Sequence, residues 1–165
     1  MNSFLDSTEL NISWNNGKGK MIIRLEYFLR EQSLSKIRKL IRIIKESDTP
    51  EELEKFYEVL KNDAISDKDF ANNIVSSREK IKDYENSIIV EQRCMDLYKT
   101  ERDKYKRKSD SYEYFANLYK GSKERLSQFK RSKKDREQFI KMITRERDFI
   151  NKCLECIGGE ADGTI

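Results

Sequence analysis

The sequence predicts a mainly α protein: a small head, made of a β-hairpin and an αα-hairpin, on a long antiparallel coiled-coil-like helical arm. Three observations predict it. Charged residues make up 39% of the 165-residue chain and hydrophobic residues 36%, a balance that suits long helices with narrow apolar seams better than one large core. Proline occurs once, at Pro50, and glycine six times, so little interrupts a helix. From Phe70 onward, apolar and aromatic residues recur at heptad spacing for about seven repeats. The expected division is a head over 1–64, a helical hairpin over 65–158 and a disordered tail over 159–165.

The elements follow in order. Leu10, Ile12 and Trp14 alternate with Asn11 and Ser13, the period of a strand. Asn15-Asn16-Gly17-Lys18-Gly19 is a turn signal, and Lys20–Leu25 reads as the returning strand. A lone hairpin is marginal in water, so it either caps the helices or lends its edge to a partner strand. Ser33 caps a helix to about Glu46 whose Leu34, Ile37, Leu40, Ile41 and Ile44 share one face. The opposite face is basic (Lys36, Arg38, Lys39, Arg42, Lys45) and is read as solvated in preference to a membrane or nucleic-acid surface. Thr49-Pro50-Glu51-Glu52 has the form of a capping box with proline at the first helical position. The helix it opens buries Leu53, Phe56, Tyr57 and Leu60.

A further helix starts near Ser66, with Asp67 and Asp69 in its first turn. Its seam runs Ile74, Ile81, Ile88, Met95, Arg102, Ser109 and Ala116 at one heptad position, and Phe70, Ser77, Tyr84, Glu91, Tyr98, Tyr105, Tyr112 and Tyr119 at the other. Gly121-Ser122 has the chemistry of a helix end followed by a new cap, which places the reversal there. The alternative is one helix continuing through Gly121, at a cost of about 1 kcal/mol relative to alanine. The last helix has its own seam: Leu126, Phe129, Lys133, Arg136, Ile140, Ile143, Arg147, Ile150, Leu154 and Ile157.

Charge is focused. Between Lys99 and Arg136 stand fourteen Lys and Arg against six Asp and Glu, a net of +8, whereas the whole chain carries only +4. The same stretch holds Tyr105, Tyr112, Tyr114, Phe115, Tyr119 and Phe129. Lys and Arg neutralise phosphates and release counterions, and exposed aromatic faces stack on unpaired bases. The candidate nucleic-acid-binding residues are therefore Lys104, Lys106, Arg107, Lys108, Tyr114, Lys120, Lys123, Arg125, Lys130, Arg131, Lys133, Lys134 and Arg136. Tyr114 is the stacking candidate because it lies off the seam.

Catalysis is disfavoured. The chain has no histidine, which removes the commonest general base and metal ligand and excludes Ser-His and Cys-His pairs. Cys153-Leu154-Glu155-Cys156 has metal-binding or redox spacing, but a zinc site needs four ligands and the chain offers three cysteines. The thiols are read as free and packed. The acidic clusters Glu51, Glu52 and Glu54, and Asp67 and Asp69, are explained by helix N-termini. No catalytic residue, cofactor or metal is expected. No leader or membrane-spanning run is seen, and an odd cysteine count suits a reducing, cytoplasmic setting.

In size, in its lack of catalytic residues, in Lys-rich helices such as Lys130-Arg131-Ser132-Lys133-Lys134 and in its lone hairpin at Leu10–Leu25, the chain resembles small accessory proteins of phages and mobile elements. These include anti-CRISPR-type inhibitors of RNA-guided nucleases. The resemblance implies blocking a nuclease or its guide by binding, and carries over no functional residue. The positive net charge argues against an acidic DNA mimic. The expected function is non-catalytic binding of nucleic acid or a nucleoprotein complex by the basic arm. The alternative is a self-associating coiled-coil scaffold or adaptor, with a homodimer as the partner.

Overall fold

A computed structural model describes residues 8–25, 29 and 33–159; the tail expected at 159–165 lies, apart from Gly159, outside them. The chain is mainly α, as expected, with strands β1 (Glu9–Trp14) and β2 (Gly19–Arg24) followed by helices α1 (Leu34–Lys45), α2 (Glu52–Asp63), α3 (Asp67–Arg102) and α4 (Asp110–Gly159). It forms two compact units, Met1–Ser66 with Thr144–Ile165, and Asp67–Ile143. The last turns of α4, which the sequence places with the arm, thus belong to the first unit.

In the first unit, β1 and β2 pair antiparallel with Leu10 opposite Ile23 and Trp14 opposite Gly19. The loop between them holds Asn15, Asn16 and Gly17 at φ of 56°, 54° and 81°, a left-handed run that Asn and Gly tolerate best. Strand alternation turns Leu10 and Ile12 inward onto Ile37, Leu40, Ile41 and Ile44 of α1 and Phe56, Val59 and Leu60 of α2. Cys153 and Ile157 of α4 complete this core. Val59 is a core residue that the expected face of α2 missed; Leu53 and Tyr57 are only half-buried.

The hairpin edge shows why local capping rules gave way. Ser33 caps α1 through its Oγ and the Lys36 amide at 3.5 Å, as expected. Thr49 and Glu52, however, do not close a capping box. The Thr49 hydroxyl accepts the Ser13 amide at 3.2 Å and the Glu52 carboxylate accepts the Asn11 amide at 2.9 Å. The Asp48 amide donates to the Ser13 carbonyl at 2.8 Å, and Lys55 Nζ donates to the Glu9 carbonyl at 2.5 Å. A strand edge left bare is costly when partly buried, so side chains suited to capping serve the outer edge of β1 instead. That edge is occupied, and the hairpin caps helices there.

In the second unit, α3 and the stretch of α4 up to Ile143 run antiparallel. Glu91 meets Ser122 and Arg125, Glu85 meets Lys133, and the Tyr84 ring lies 6.4 Å from that of Phe129. Nearer the turn, the Arg102 guanidinium sits over Tyr112 and Tyr119 at 5.8 and 5.3 Å. Every seam position expected from Phe70 to Arg102 is half-buried or buried. So is every one from Leu126 to Ile157.

The reversal is not at Gly121, where α4 is unbroken. It lies at 103–109, between α3 and α4. Three features put it there. Ser109 caps α4, its Oγ accepting the Tyr112 amide at 3.2 Å, and Asp110 and Glu113 in the first turn suit the helix dipole. Lys104, Arg107 and Lys108 would repel one another at i, i+3 and i, i+4 in a continued helix. Lys108 adopts φ 68°, outside the helical region, immediately before the Ser109 cap. The break spans seven residues, one heptad, so the tyrosine spacing reads through it and conceals it. As a result Phe129 and Lys133 face Tyr84 and Glu85, and not the Tyr105–Ala116 stretch.

Candidate nucleic-acid interface

Moving the turn divides the expected site. Lys104, Lys106, Arg107 and Lys108 occupy the turn itself, and Tyr114 the start of α4. Lys130 to Arg136 lie roughly 30–39 Å further along α4 at 1.5 Å per residue. That distance exceeds the ~8–10 Å screening length at physiological salt. The thirteen residues therefore do not form one cluster at a tip.

Four of them are engaged within the fold. Lys104 pairs with Glu101 at 2.6 Å, Arg125 with Glu91 at 2.7 Å and Lys133 with Glu85 at 2.8 Å. The hydrogen bond to its carboxylate partner raises the pKa of each cation. Glu91 is held below the usual carboxylate range by its hydrogen bonds from Arg125 and then Ser122. Arg136 lies 5.5 Å from the Phe139 ring and lines a hollow with Tyr84, Ser132 and Asp135. Arg125 and Lys133 hold the two helices together, Lys104 closes a local i, i+3 pair at the end of α3, and the charge of all three is partly neutralised.

The other cations are exposed, and among the described residues they have no ion-pair partner: Lys106, Arg107 and Lys108 in the turn, and Lys120, Lys123, Lys130, Arg131 and Lys134 on α4. At about 100° per residue, the α4 set falls within one arc of roughly 100°. Lys141, which sequence analysis missed, falls in the same arc and is exposed. From 120 to 141 that flank reads Lys120, Lys123, Ser127, Lys130, Arg131, Lys134, Gln138, Lys141, with no acidic residue. Glu124 and Glu137 stand just outside it. Helical projection of the last helix, already expected to run from Ser122 past Lys141, finds it; the charge count that stopped at Arg136 did not.

The turn carries a different chemistry. The Tyr105 and Phe115 rings stack at 5.8 Å and 11°. Tyr114 meets Phe115 edge-on at 5.2 Å and 77°, and is 61% exposed.

Cys153 is buried, Cys156 and Cys94 are half-buried, and all three are free thiols. No group of three or more metal-ligating side chains occurs among the described residues, and no helix there is long and apolar enough to cross a membrane. Comparison with protein-family models, curated proteins and solved structures finds no match to this chain.

Proposed function

We propose that this is a non-catalytic binding protein whose second unit engages nucleic acid, bare or within a nucleoprotein complex. One observation carries the reading: the flank of α4 from Lys120 to Lys141 presents six cations and no acid, all exposed. Along roughly 32 Å of helix this is a stripe that can track a phosphate backbone without reading sequence. The absence of histidine supports the non-catalytic part. Inhibition of an RNA-guided nuclease, which the general resemblance implies, would use the same face by occupying the guide or its target.

The test is binding to labelled DNA and RNA across a salt series, with a variant carrying Lys123, Lys130, Lys134 and Lys141 changed to Glu. Affinity should fall about as the 0.9 power of salt for each duplex phosphate contacted, and the variant should lose binding. Wild-type protein that does not bind at low salt, or a variant that binds equally well, overturns the proposal.

A second reading is favoured by Val75, Ile89, Val90 and Leu97. All are at least half exposed and share an arc of about 100° on α3. That face fits a second copy of the chain in a coiled-coil scaffold. Sedimentation velocity at high salt separates the readings, because apolar pairing survives salt and phosphate binding does not.

A further inference from the structure

We propose that the turn at 103–109, with the first turns of α4, is a site for unpaired nucleobases, so that the hairpin prefers single-stranded nucleic acid to a duplex. This rests on the nucleic-acid reading above and adds the form that is bound. The stripe on α4 offers only charge, and both forms present phosphates to charge. The turn offers aromatic faces, and only unpaired bases can reach those.

The aromatic group is built, not incidental. Phe115 is half-buried and holds two tyrosines at once, Tyr105 parallel to its face and Tyr114 against it edge-on. Offset-stacked and edge-to-face pairs are favoured geometries, so both phenols are held in place before any ligand arrives. They nonetheless remain open, Tyr105 by 42% and Tyr114 by 61%. A tyrosine that served only the seam would bury its ring, as Tyr112 and Tyr119 partly do beneath Arg102.

The charges around the group are sorted in the same sense. Asp103 is engaged by Arg102 at 2.7 Å and Glu101 by Lys104 at 2.6 Å. Lys106, Arg107 and Lys108 are exposed, and among the described residues they have no ion-pair partner. Asp110 and Glu113 occupy the first turn of α4 and repel a phosphate from the helix N-terminus. Phosphates are thereby left to the cations of the loop that precedes α4. One flexible strand can place a base on Tyr114 and its neighbouring phosphates on Lys106–Lys108. A duplex, its bases stacked on one another, can use only the second contact.

The experiment compares the full chain and three variants, at one low salt concentration, on a labelled 15-nucleotide DNA strand and on the same strand annealed to its complement. A second probe carries 2-aminopurine, whose fluorescence is quenched on stacking. The wild type should bind the single strand more tightly and quench the probe. Tyr114→Leu should weaken single-strand binding by about tenfold, the scale of one lost base stack, abolish the quench and leave duplex binding unchanged. Tyr114→Phe should retain both the affinity and the quench. Far-UV circular dichroism of each variant should match the wild type. Equal or duplex-preferring binding that Tyr114→Leu does not alter, or a loss of equal size on both forms, overturns the inference alone. No binding of either form, or binding indifferent to Lys130→Glu with Lys134→Glu, overturns the nucleic-acid reading and this inference with it.

Discussion

At the scale of residues, several side chains act against the role their local sequence suggests. Thr49 and Glu52 have capping-box spacing, yet each takes an amide of β1, the Thr49 bond part-buried and the Glu52 bond exposed, because the packing of α2 along that strand brings both side chains to its edge. Cys153 belongs to a spacing associated with metals and redox chemistry, but burial pushes its thiol up to about 12. At neutral pH it should resist alkylation in the folded protein, while Cys94 and Cys156 react first. The sign of the pH effect follows. An unfolded-chain thiol ionises near 9 and the folded one does not, so stability should fall as pH rises from about 9 towards 12. Urea titrations at pH 8 and 10.5, wild type against Cys153→Ala, check this. The variant should show the smaller drop between the two pH values.

Lys108 holds φ 68°, a conformation that costs a non-glycine residue roughly 1 kcal/mol or more. Lys108→Gly should therefore leave thermal stability within about 1 kcal/mol of wild type, or above it, while removing one cation of the turn. A strongly lowered melting temperature would show that the lysine side chain itself holds the reversal.

At the scale of elements, the two candidate breaks of the last helix exchange roles. Gly121 sits mid-helix, and an added Cβ would meet only the end of the Arg125 side chain, at 3.4 Å. Gly121→Ala should stabilise the second unit by about 1 kcal/mol, with Arg125 shifting slightly. If the chain reversed at Gly121, the same change would destabilise it. Ser109→Ala should cost about 1 kcal/mol by removing the cap of α4. Thermal denaturation followed by circular dichroism reads both. The seams from Phe70 to Arg102 and from Leu126 to Ile157 were legible because a half-buried position every three or four residues is what antiparallel pairing of long helices requires. The turn was not legible from periodicity, since a seven-residue break preserves heptad phase. The signal that marks it is Ser109 with Asp110 and Glu113, following four cations in five residues.

At the scale of the molecule, each unit is stabilised differently. The first has a dry apolar core in which Phe56 and ten other hydrophobic side chains, with Cys153, are buried. The second buries few side chains fully, Ser77, Ser122, Leu126 and Ile143 among them, and is joined by ion pairs and tilted rings. Trp14 is the sole tryptophan and packs against the first unit's core, so its fluorescence reports that unit alone. Phe56→Ala should shift its denaturant transition by about 3–5 kcal/mol. A shift below about 1 kcal/mol would contradict the assignment of Phe56 to the centre of that core.

The sequence by itself determined the class of fold, the strand alternation of the hairpin, the apolar faces of α1 and the seams from Phe70 to Arg102 and from Leu126 to Ile157, because each follows from local periodicity; Tyr105, expected on the first seam, lies exposed in the turn instead. It also determined that charge is concentrated between Lys99 and Arg136. Only the tertiary structure decided where the chain reverses, and hence which cations are spent on Glu85, Glu91 and Glu101 and which remain open to solvent. It also decided that Cys153 and Ile157 enter the first unit's core. The physical reason is common to these cases: periodicity fixes which face of a helix turns inward, whereas partners across the fold depend on where the chain turns.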